Sequence, residues 1–232
     1  MSYFSILTGL IGPLQTTLVF FGLSATLSLM LAVLFCFATR ARHRGIRAAS
    51  QVLIEISRGV PTVVFVLLMG NLGMSQAFAV LEVDGLLPGT PPGFSATAVF
   101  VIIGLAYSSA GHLSKIIDAS LSTVDSDVLA YIATLKPTAT LLAWLLFVEA
   151  APALIQPLSA RLTHHLHNTA FISLFPITGL FAAMRQGVDE TAQVGEYVIV
   201  ATALFVLLGG LISLLGKGVQ SSVKGRIFGF CG

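Results

Sequence analysis

Of the 232 residues only 9% are charged while 56% are hydrophobic, and the mean hydropathy is +0.94. Soluble domains carry roughly 25% charged residues, so a chain this poor in charge cannot cover a water-facing surface, and lipid is implied as its solvent. The net charge is +2 with the basic residues scattered, which leaves no footprint for nucleic acid. Cys36, in an apolar run, and Cys231, next to last, imply neither a disulfide framework nor a metal site.

No Lys, Arg, Asp or Glu precedes Arg40, so the basic region of a cleaved signal peptide is missing and residues 14–38 read as a first span. Arg40, Arg42, Arg44 and Arg47 crowd the next loop, which places that loop in the cytoplasm and the N-terminus outside. Residues 60–81 form the second span, where Asn71 and Gln76 are candidate interhelical glue or path-lining groups. The loop with Glu82, Asp84 and the stretch from Pro88 to Gly93 carries no Lys or Arg and fits the outside. A third span covers 96–114, and Lys115 and Lys136 then flank a second inner loop.

Between 137 and 184 a longer apolar region is interrupted by Glu149, Arg161, His164, His165 and His167. A final span at 197–216 leads to a tail with Lys217, Lys224 and Arg226, which belongs inside. Termini on opposite sides require an odd number of crossings. Five transmembrane helices are therefore expected, with 165–183 as the fourth and 137–158 along the inner surface or as a half-span; counting both gives six. None of the runs has barrel alternation, so the class is all-α integral membrane.

The histidine cluster reads as an interfacial polar cap rather than a metal site, because no cysteine or carboxylate lies close beside it. Glu149 either sits in water at the interface or faces a path inside the bundle. Gly216-Lys217 is not a phosphate-binding loop: Leu211 stands at the position of the required glycine and Gly218 at that of Ser or Thr. No nucleophile motif accompanies the histidines, so no catalytic residue, metal or cofactor is assigned.

The richest local pattern is VLIEISRGVPTVVF, from Val52 to Phe65. On a helix Glu55 and Arg58 share a face and can pair. Pro61 can kink the helix, and Gly59 permits close approach of a neighbour. The stretch closely resembles the start of the second conserved span in permeases of polar amino-acid ABC importers (the histidine, glutamine, arginine and opine type), where I-E-x-x-R-G-x-P is characteristic. Ile54, Glu55, Arg58, Gly59 and Pro61 stand at the matching positions.

The inner loop resembles the same family more loosely. Ser109 to Lys136 can be laid without a gap on the family's A-E-I-x-R-G and E-A-A-x-x-x-G patterns, with Ala110, Ile116, Leu121, Val124 and Leu135 matching. Lys115 and Asp118 stand where the family has Glu and Arg, which reverses an ion pair three residues apart. Ala130, Tyr131 and Ile132 occupy the E-A-A positions and Lys136 the glycine position. After Asn168, the segment NTAFISLFPITGL is similar to N-x-x-I-x-L-x-K-D-T-S-L, with Asn168, Ile172, Leu174, Thr178 and Leu180 fitting.

The resemblance implies a type I ABC importer permease fold: a single transmembrane permease domain over 1–232, with a cytoplasmic coupling-loop region at 115–137. Asp127, Ala130, Tyr131, Leu135 and Lys136 would couple it to a separate ATPase subunit. Glu55, Arg58, Gly59 and Pro61 would form a structural or path motif, and Asn168 and Thr178 would be path or substrate residues. The implied partners are that ATPase, a second permease, a periplasmic or extracellular substrate-binding protein and membrane lipid. The implied location is the bacterial cytoplasmic membrane, and ATP hydrolysis would fall to another chain. A permease-derived scaffold or regulatory subunit is the alternative of another class. An ion-coupled secondary transporter is the third, with no convincing pair of inverted repeats to support it.

Overall fold

The computed structural model describes residues 3–75, 77, 85–134 and 138–229. Inside a bilayer each backbone N–H and C=O must be satisfied within its own segment, and the described chain answers with helices throughout. They are α1 (Tyr3–Ala38), α2 (Arg44–Gly59), α3 (Thr62–Gly73), α4 (Ser95–Leu121), α5 (Ser126–Thr134), α6 (Ala139–Asn168), α7 (Leu180–Thr191) and α8 (Val194–Gly229). A 3-10 segment, Thr169–Leu174, joins α6 to the stretch before α7.

Among the described residues, four helices are long and apolar enough to cross a membrane: α1, α4, the Leu145–Leu174 segment and α8. The fifth crossing is the pair α2–α3, bent by 106°. Two contacts show that this pair traverses the bundle. Arg40, just after α1, pairs with Asp118 near the end of α4, whereas Gly73, the last residue of α3, packs on Ala96 and Thr97 at the start of α4. The chain therefore enters the pair at one end of α4 and leaves it at the other. Five passes result, the odd number expected.

The spine is α4. Its most apolar stretch is 72% buried, against 33% for α1 and 17% for α8. Phe20 of α1, Val66 of α3, Val101 and Leu105 of α4, and Ile172, Phe175 and Ile177 after α6 form the main apolar core. Ile6 and Leu10 of α1 join Leu180 of α7 in a second core at the other end. Van der Waals packing rather than water exclusion holds helices together in lipid, so backbones must approach closely. Glycines of α4 permit this: a Cβ on Gly111 would lie 2.7 Å from the Ile54 carbonyl oxygen and from Ser57 Oγ, and one on Gly104 would lie 2.9 Å from the Phe65 carbonyl oxygen. Gly59 does not play the part expected of it, since a Cβ there meets nothing within 4 Å.

The largest departure from expectation lies in 137–184. Helix α6 is continuous from Ala139 to Asn168 and carries Arg161 and all three histidines within it, and 165–183 is not a span. Pro152 and Pro157 fall inside α6 without ending it. Gln220 of α8 clasps this stretch, its Nε2 donating to the Pro152 carbonyl (2.7 Å) and its Oε1 accepting from Gln156 Nε2 (3.0 Å). Polar residues that hydropathy reads as a boundary are satisfied by neighbouring helices instead.

Gly111→Val is expected to overpack the α2–α4 contact, costing about 1–3 kcal/mol and lowering the melting temperature of the detergent-solubilised protein. Gly22→Ala, at a site with nothing within 4 Å of an added Cβ, should leave it unchanged or slightly raised.

Candidate functional site

The polar residues of the bundle gather along one seam where α1, α4 and α6 meet. Serines suit this place because each hydroxyl can bond its own helix carbonyl and still reach across. Ser24 Oγ of α1 donates to the Phe20 carbonyl (2.7 Å) and lies 2.8 Å from His165 Nε2. On the opposite side of the ring, His165 Nδ1 lies 2.7 Å from Ser109 Oγ of α4. A hydroxyl has one proton to give; with Ser24's given to the Phe20 carbonyl, the ring is satisfied when Nε2–H donates to Ser24 Oγ and Nδ1 accepts from the Ser109 hydroxyl. His165 is 1% exposed and bridges three helices.

One turn earlier on α6, Arg161 Nη2 donates to the Ser108 carbonyl and to Ser109 Oγ, each at 3.3 Å. Residues 108 and 109 are halfway along α4, which spans Ser95–Leu121, so this guanidinium sits near the bilayer centre. An Arg there costs at least ~2.5–3.5 kcal/mol even on the mildest scale, and such groups line water-filled cavities or functional paths. His164 Nδ1 accepts on the same face, 3.4 Å from Arg161 Nη1 and 3.3 Å from Asn168 Nδ2. Asn168 Nδ2 also donates to Thr62 Oγ1 at the start of α3 (3.3 Å). His167 points elsewhere, edge-on to Phe205 of α8. The three histidines therefore belong to the span rather than to an interfacial cap. Among the described residues no group of three His, Cys, Asp or Glu converges as metal ligands would.

From Arg161 a cleft of about 410 Å³ opens between α2, α4 and α6 toward the end of α4. Its polar lining is Arg58, His112, Lys115, Ser120, Thr123 and Arg161. A volume of this order suits a small solute. The motif of α2 sets its mouth. Arg58 Nη1 donates to both Glu55 oxygens (3.0 and 3.1 Å), as their spacing predicts. Behind them Ser57 Oγ donates to the Tyr107 carbonyl (2.6 Å) and accepts from Gly111 N–H (2.9 Å), locking α2 onto α4. Pro61 stands at the 106° bend and starts α3. The Lys115–Asp118 pair that the spacing leaves possible does not form: Asp118 takes Arg40, and Lys115 Nζ stands 4.0 Å from Glu55.

The other expected site residues are distributed away from the cleft. Thr178 is exposed at the opposite end, its N–H donating to the Gly89 carbonyl (2.9 Å), so it does not join Asn168. Asn71 donates to the Leu67 carbonyl of its own helix (2.7 Å), and Gln76 lies outside the described residues. Glu149 is exposed on α6. Asp127, Ala130 and Tyr131 all lie exposed on α5, a separate short helix beyond α4. Asp125 starts it, its Oδ1 accepting from Asp127 N–H (2.8 Å). Leu129 and Tyr131 are 41% and 66% exposed, an apolar face without a covering neighbour among the described residues. Leu135 and Lys136 lie outside the described residues. Arg161, Ser24 and Ser109 are the functional candidates that residue patterns did not single out; an Arg inside an apolar run was the available signal.

No protein-family model matches the sequence, and no curated protein does. Among solved structures, an amino acid ABC transporter crystallised with histidines aligns at TM-score 0.72 and 18% identity, over 96% of this chain and 99% of that chain. The MetNI methionine ABC transporter, inward facing, aligns in two crystal forms. The selenomethionine soak form gives TM-score 0.69 at 15% identity over 90% of this chain and 93% of that one. The native form gives 0.64 at 17% over 94% and 95%. The likeness is one of fold, and that fold is the ABC-transporter permease type.

His165→Leu and Ser24→Ala should each destabilise the protein, by about 1–3 kcal/mol where a buried partner is left unsatisfied. Because they remove one shared contact, the double variant should lose less than the sum; thermal melts of the purified protein in detergent measure this.

Proposed function

We propose that this chain is a permease subunit of an ABC importer in the bacterial cytoplasmic membrane, forming a single transmembrane domain that supplies half of the path for a polar amino acid or similar small solute. The observation that carries the reading is the shared fold, which runs over nearly the whole of both chains in the amino acid ABC transporter with histidines. The N-terminus would lie outside, and the basic loop at Arg40–Arg47 and the tail inside.

The partners in this reading are an ATPase, a second permease and an external binding protein. Helix α5 supports the first. It stands beyond the span, on the side of the basic loop, and offers Leu129, Ala130 and Tyr131 to an outside surface. A docked ATPase would bury the tyrosine ring, and an aromatic anchor of that kind dominates interface energetics. Motion delivered there reaches the cleft directly, because α5 follows α4, whose last turns line it. Alternating access is then a bias applied to a bundle with two arrangements. ATP hydrolysis would belong to the other chain.

One feature favours a second reading, an uncoupled permease-derived scaffold: Ala130 stands where the resembling family has an acid in its coupling loop. The two differ in a measurable way. The tagged chain, expressed with its native genomic neighbours and solubilised in mild detergent, should retain a stoichiometric ATPase. Tyr131→Ala should reduce that ATPase by several fold while leaving the membrane protein intact by size exclusion. Recovery of the chain with no ATPase would favour the scaffold.

A further inference from the structure

The charge of the cleft is not balanced by the chain itself. Arg58, Lys115 and Arg161 line it, and none of its lining residues is acidic. Glu55 offsets part of this at the mouth, 3.0 Å from Arg58 and 4.0 Å from Lys115. Asp118 is taken by Arg40. Deeper in, Arg161 meets no carboxylate among the described residues; its bonds go to a carbonyl, a hydroxyl and the neutral His164 ring, and its Nε is buried with no partner. A guanidinium presents five N–H donors in a planar fork that matches a carboxylate, and cations out of water are held by anions. Next to this donor lies an acceptor. Pro157 has no N–H, so the Ala153 carbonyl lacks its helical donor, and both residues line the same cleft.

Resting on the permease reading above, we propose that the transported solute bears a net negative charge and lodges a carboxylate on Arg161. Arg58 and Lys115, at the cytoplasmic end where the cleft opens, extend the positive field from Arg161 to the mouth. The Ala153 carbonyl is placed to take an ammonium group, which fits an acidic amino acid better than a simple dicarboxylate.

The test uses the co-purified complex in nanodiscs of phosphatidylcholine, with radiolabelled glutamate and aspartate as probes and unlabelled lysine and glutamine as competitors. The acidic probes should bind and the competitors should displace them poorly. Arg161→Gln should weaken binding roughly 10- to 100-fold, the loss typical of a hydrogen bond to a charged group. Arg161→Lys should recover part of it. Arg58→Gln, at an exposed position, should slow association and reduce its dependence on salt. Absence of Arg161-dependent binding of either acid, or equal binding of lysine, overturns the proposal. A third arm adds phosphatidylglycerol: Arg161-dependent retention of that lipid, without glutamate binding, assigns the anion to a headgroup and also overturns it. The ATPase is scored in the same preparation. Its absence counts against the permease reading, whereas lost charge selectivity in an intact complex counts against this proposal alone.

Discussion

Lipid offers no hydrogen bonds, and this bundle is organised by where its polar groups find partners instead. His165 is the point on which the rest turns. Its two ring nitrogens reach Ser24 on α1 and Ser109 on α4, so one side chain ties three helices at a single level. That tie brings α6 against α4 at mid-span and allows Arg161, one turn away, to donate to the Ser108 carbonyl and the Ser109 hydroxyl. With α6 held there, the space between it, α2 and α4 becomes a cleft rather than a packed interface. The same serines that settle the fold thus place the cation that gives the cleft its character.

Close backbone approach supplies the second half of the architecture. Gly111 and Gly104 let α2 and α3 lie against α4, and Ser57 bonds both the Tyr107 carbonyl and the Gly111 N–H. A bend of 106° follows immediately at Pro61. The Glu55–Arg58 pair is exposed at both partners and contributes little to stability. Its position at the mouth of the cleft gives it a different weight: Arg58 is held with its charge facing the opening, and Glu55 limits how much of that charge is left over.

Much of this was legible from residue order. The lipid-solvated class, the spans that became α1, α4 and α8, the Glu55–Arg58 pair and the odd number of passes all follow from apolar runs, basic loops and helical spacing. The region from 137 to 184 was not legible, for a physical reason. Hydropathy sums over single residues and treats Arg161 and the histidines as a boundary; it cannot register that Ser24, Ser108 and Ser109, from two other helices, satisfy Arg161 and His165. Gly59 failed for a related reason, because a glycine's role depends on what faces it, and the approach falls at Gly111 instead. Asn168 joined the seam through His164, whereas Thr178, only ten residues later, went to the far end because the 3-10 segment and the extended stretch after it carry the chain away from α6.

Transport through this bundle requires that the cleft be an aqueous path rather than a lipid-filled groove. Substituted-cysteine accessibility addresses this directly, in a background lacking Cys36 and Cys231. Cysteines at Ala119 and Ala153, which line the cleft, are compared with cysteines at Leu207 and Leu214, exposed on the outer face of α8. A charged methanethiosulfonate reagent should modify the first pair rapidly in inside-out membrane vesicles and leave the second pair unreacted. Equal inertness at all four positions would contradict a water-filled path, and with it the transport reading of this bundle.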